Sequence, residues 1–93
     1  MARLLFEIWE DHEAGSVFEM SLVSPQHDEM RKSLNPNAIL LHTFRASSDF
    51  EAPRIYHEFM GWDPWKPEPS WIESHFTEDQ AREQDAYLLA RHN

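Results

Sequence analysis

Apolar and polar positions alternate along the first two dozen residues. From Arg3 to Glu10, Leu4, Phe6 and Ile8 fall on one side of an extended chain and Leu5 and Trp9 on the other. A strand that is apolar on both sides belongs in the middle of a sheet. Residues 11–16 are turn formers, and Val17 to Val23 alternates again, with Phe18, Met20 and Leu22 opposed to Glu19 and Ser21. The two runs predict a hairpin over 3–23, and its second strand, with one wet face, belongs at an edge.

The period then changes. Ser24-Pro25 supplies an N-cap and a first-turn proline, Met30 and Leu34 recur at i, i+4 on one stripe with His27, and Asn35-Pro36 ends the helix predicted over 25–34. A third strand is predicted over 38–46, with Leu40, Phe44 and Ala46 on its inner face. Ser48 and Glu51 have capping-box spacing, and Ala52, Ile55, Tyr56 and Phe59 follow at helical intervals, so a second helix runs over 49–60. Pro53 should kink that helix or delay its start, and Gly61 should end it in the left-handed conformation with Trp62 folding back onto the last turn. Another capping box at Thr77 and Gln80 opens a last helix over 78–92, with a Glu78 to Arg82 pair on its surface. Its apolar stripe of Ala81, Leu88 and Leu89, flanked by Tyr87 and Ala90, is thin, which suits loose docking or packing on another subunit.

Between these helices lies an arm, residues 61–76. Within 61–71 it carries three of the four tryptophans, Trp62, Trp65 and Trp71, and three of the six prolines. Proline at every second or third place forbids helix and central strand and leaves an extended path. Each tryptophan brings on the order of 150–250 Å² of side chain to bury, either against the chain's own core or against a partner. Trp62, next to the glycine cap, is expected in the core, and Trp65, between Pro64 and Lys66, on a wet surface. With Trp71 and Trp9 they form the candidate binding set.

The elements assemble into an α+β domain spanning 1–93: a ββαβα core with a three-stranded antiparallel sheet in order 2-1-3, followed by the arm and a C-terminal helix. Helices 25–34 and 49–60 are both expected on the face bearing Phe6, Phe18 and Phe44. The opposite face, with Leu5 and Trp9, then needs a cover, and a two-fold homodimer burying about 1,200–2,000 Å² would provide one.

Composition narrows the function. The chain has no cysteine, so neither disulfides nor a thiolate metal site support this small core. Residues 1–7 meet a charge before any apolar run and no stretch approaches ~18 apolar residues, so neither an export signal nor a membrane span is expected, and a cytoplasmic location is. Eight basic against seventeen acidic residues leave a net charge of −9, concentrated toward the two ends. Nucleic acid is excluded as a partner, because phosphate binding requires clustered Lys and Arg, whereas a basic protein partner is compatible.

Chemical motifs are sparse. Glu10-Asp11-His12-Glu13 is the densest titratable cluster, but it sits in a turn without the ligand spacing of a metal cage, so no metal is expected. With only Gly15 and Gly61 there is no glycine-rich phosphate cradle, no Gly-x-Ser-x-Gly motif is present, and no cofactor is implied. The one acid-base candidate is a His42 and His57 pair brought together by the fold near Tyr56 or Glu58. Two readings follow: a small acidic interaction or regulatory module without an evident catalytic site, or a small dimeric α+β enzyme with a pocket near His42 and His57.

Overall fold

The computed structural model describes residues 2–13 and 15–91. Strands β1 (Leu4–Asp11), β2 (Val17–Leu22) and β3 (Ile39–Ala46) form one antiparallel sheet in the order β2-β1-β3. Helices α1 (Pro25–Leu34), α2 (Glu51–Met60) and α3 (Glu78–Ala90) complete an α+β fold. The doubly apolar strand is central, as its pattern requires. The expected extension of α3 to His92 lies outside the described residues.

One face of the sheet carries Leu4, Phe6 and Ile8, and across the ladders Leu22, Met20, Ala46, Phe44 and His42 share that face. Phe6 stacks on Phe44 with ring centroids 5.5 Å apart, and α2 covers this side through Ala52 and Ile55. The stop signal of α2 acts as the sequence implies, but the capping box forms only in part: the helix starts at Glu51 with Phe50 at the N-cap, whose side chain makes no cap bond. The Ser48 hydroxyl accepts from the Glu51 N–H at 3.0 Å, while the Glu51 carboxylate reaches back to the Ser47 N–H at 2.6 Å. Pro53 falls in the first turn, where its missing N–H is of no consequence. Gly61 ends the helix at φ 72°, with the Trp62 N–H on the His57 carbonyl at 3.0 Å.

Helix α1 is not beside α2. It lies over the opposite face, where the Arg31 guanidinium sits 3.8 Å from the centre of the Trp9 ring and Asp28 is buried beneath α3. The expectation that both helices cover the Phe6 face is therefore corrected, as is the expected inward stripe of α1. Met30 and Leu34 are 57% and 69% exposed, because the inward side of α1 carries Asp28 and Arg31 into an ionic cluster instead. Trp9 lies under Arg31 of α1, and Leu5 is half-buried, with its backbone held by Gln84 of α3.

Strand β3 also departs from simple alternation. Ile8 opposes His42 and Trp9 opposes Leu40, so Leu41 is one residue too many and forms a bulge. Ala46 and Phe44 point to the Phe6 face as expected, but the bulge moves Leu40 to the Trp9 face.

The arm runs from Gly61 back to the start of α2. Asp49 N–H bonds the Ser74 carbonyl at 3.1 Å and Phe76 N–H the Ser47 carbonyl at 2.9 Å, which seats the Phe76 ring 6.0 Å from that of Phe6. Phe76, not Trp62, is the arm's contribution to the core. Trp62 is 47% exposed and rests edge-on against Tyr56 and His57, whereas Trp65 is half-buried against Phe50, with centroids 5.5 Å apart. The two residues thus exchange the environments expected of them.

Candidate functional site

His42 and His57, the acid-base candidates, go to different partners. His42 stacks between Phe59 and Phe44, at 4.6 and 6.5 Å between ring centroids. On the other side of α2, His57 contacts Tyr56 and Trp62, and its Nδ1 pairs with the Asp63 carbonyl at 3.0 Å. Neither lines any of the four best-formed cavities. Among the described residues no three His, Asp or Glu side chains converge as a metal site.

A second cluster of charge is buried and was not read from the sequence. Arg91, just past the end of α3, donates two bonds to Glu7 at 2.8 and 2.9 Å and two to Asp28 at 2.8 and 2.9 Å. Tyr87 adds a hydrogen bond to Asp28, and the Trp9 indole N–H donates to Glu7 at 3.1 Å. Burial by itself would raise the Asp28 carboxyl, but the bonds from Arg91, Tyr87 and Arg31 outweigh it and hold the group below the usual carboxylate range. The bonds to Glu7 raise Arg91 above its ordinary value against the effect of burial, so it is permanently charged. Beside this cluster the Gln84 amide accepts from the Leu5 N–H at 2.7 Å and donates to the carbonyls of Leu5 and Val23 at 3.0 Å each. It takes the place of a peptide unit at the end of the β1 and β2 ladder. Every polar group here has a partner within the chain, which makes the cluster a clasp for α1 and α3. The sequence offered no signal for it, since Glu7, Asp28 and Arg91 lie 21 to 84 positions apart.

A contiguous run of exposed aliphatic side chains lies at the open edge of β3. Ile39, Leu40 and Leu41 are 51%, 43% and 39% exposed in succession. Next to them His42 is exposed with Phe59 stacked on it, and Phe59 is itself exposed at the end of α2, near Trp62. Acidic residues neighbour this patch across the ladder or along the chain. Glu10 is the register partner of Ile39, Glu13 accepts from the Asn37 side chain at 2.6 Å, and Glu58 and Asp63 flank Phe59 and Trp62 along the chain. Of the tryptophans proposed for binding, Trp62 rests on Tyr56 and His57, Trp71 is exposed elsewhere on the arm, Trp65 lies on Phe50, and Trp9 lies under Arg31.

Fold and surface together describe a small acidic α+β domain with an unpaired, aliphatic sheet edge beside an aromatic patch. Compared with protein-family models, curated proteins and solved structures, the chain matches none.

Proposed function

We propose that this chain is a small acidic protein-interaction module whose binding surface is the aliphatic half of β3 together with His42 and Phe59, and whose partner is a basic protein. The observation that supports this reading is the run Ile39-Leu40-Leu41, three consecutive aliphatic side chains left in water on a sheet edge. Natural edges are usually blunted by lysine or proline, and neither stands within 39–44. Contiguous apolar surface rimmed by polar groups marks interaction sites. The acidic rim selects the sign of the partner and speeds encounter with it, an effect that weakens as salt rises.

The homodimer expected from the sequence rested on an uncovered Leu5 and Trp9 face, and on that face α1 lays Arg31 over Trp9. A protein of basic character is the occupant the remaining surface favours. Quantitative capture from an extract of the source cell tests the reading, with Leu41→Glu as the disruptive variant and Leu89→Glu, on the exposed surface of α3, as control. A basic protein retained by wild type and Leu89→Glu, released by salt and lost on Leu41→Glu, is the expected result. Identical retention by all three proteins would place the partner elsewhere or remove it.

A further inference from the structure

The hydrogen bonds along the outer edge of β3 are satisfied at one end and open at the other. Leu5 turns its N–H and C=O toward β2, where they meet Gln84 and Val23. In an antiparallel ladder successive residues point to opposite sides, so Leu4 and Phe6 turn toward β3 and their partners Ala46 and Phe44 turn inward. The outward-pointing residues are then Thr43, Arg45 and Ser47. Ser47 has its N–H on the Glu51 carboxylate and its carbonyl on the Phe76 N–H, and the Arg45 carbonyl accepts from the Arg3 guanidinium at 3.0 Å. Among the described residues Thr43 has a partner for neither group. The closed end lies by the arm, and the open end is the one that carries the exposed aliphatics.

Resting on the interaction reading above, we infer that the partner is recognised as an added strand: an extended segment alternating aliphatic and basic residues pairs with the edge of β3 at Thr43. Backbone groups at an open edge give such a segment its affinity, and side chains at alternate positions give it specificity. Its aliphatic side chains would lie beside Leu40 or beside Ile39 and His42, according to face, and its basic ones would reach toward the exposed Glu13 and Glu58. A second copy of this chain is the less favourable occupant, since it brings the same acidic charge of −9 and only the short open half of its own edge.

A ten-residue peptide alternating valine and lysine is the probe, titrated into the intact protein while amide exchange is followed by NMR. The expected result is saturable binding with exchange of the Thr43 amide slowed at least tenfold. A peptide alternating valine and glutamate, and a lysine peptide N-methylated along its pairing edge, should both bind at least tenfold more weakly. Equal binding of the N-methylated peptide would overturn strand addition while leaving the capture result for Leu41→Glu standing. Absence of binding by the lysine peptide up to millimolar concentration would overturn it as well. Slow Thr43 exchange in the free protein that disappears on dilution would assign the edge to a second copy instead.

Discussion

Arg91 shows how much of this small fold rests on one side chain. Removing it leaves Glu7 and Asp28 buried at 4% and 5% exposure with their principal counter-charge gone. Loss of one partner from a buried pair costs on the order of 3–5 kcal/mol, so Arg91→Met should be severely destabilised in urea unfolding. Arg82→Ala breaks only the exposed pair with Asp79 and should stay within about 0.5 kcal/mol of wild type. Similar losses in the two variants would mean that the cluster is not holding α3. The same cluster sets the acid limb. Asp28 titrates below its unfolded value, so its contribution is present above about pH 4 and is lost as pH falls through the folded value. Asp28→Asn should be less stable than wild type at pH 7, and the gap should narrow steadily below about pH 4. A gap that is constant with pH would show that the Asp28 charge does not contribute.

At the scale of elements, the arm and the bulge matter most. Phe76 meets Phe6 in the core, so Phe76→Ala should cost about 3–5 kcal/mol, and Trp62→Ala, half in water, clearly less. Chemical denaturation of the pair decides, and the reverse order would contradict the seating of the arm. Gly61→Ala should cost about 1 kcal/mol from backbone strain alone, since φ is 72° and no atom lies within 4 Å of an added Cβ. Elements whose signals are local were legible in the sequence: the hairpin, Ser24 and Pro25 at α1, the capping box at α3 and the Gly61 stop. Sheet order followed from the two apolar sides of β1. The bulge at Leu41 was not legible, because nothing in a run of aliphatic residues marks which one is extra. The placement of α1 was misread for a related reason: the stripe of Met30 and Leu34 outweighed Asp28, whose partners Tyr87 and Arg91 lie about sixty positions away. Pairing at that distance leaves no periodicity to read.

For the whole molecule, sequence chemistry indicated an acidic domain without a visible catalytic constellation, and it nominated tryptophans as the binding set. The structure puts those four tryptophans in different surroundings and leaves an aliphatic edge that composition alone does not disclose. With Trp9 under Arg31 of α1, Leu5 half-buried and a charge of −9 on each molecule, the purified protein should sediment as a monomer at micromolar concentration. A stable dimer would return the second copy to the open edge. The central claim is that the aliphatic half of β3 is where a basic protein binds, and site-specific photo-crosslinking in the source cell tests it most directly. A photoreactive residue at position 41 should give a discrete adduct with a basic protein, and the same residue at position 89 should give none. Adducts from position 89 alone, or equal adducts from both positions, would contradict the account.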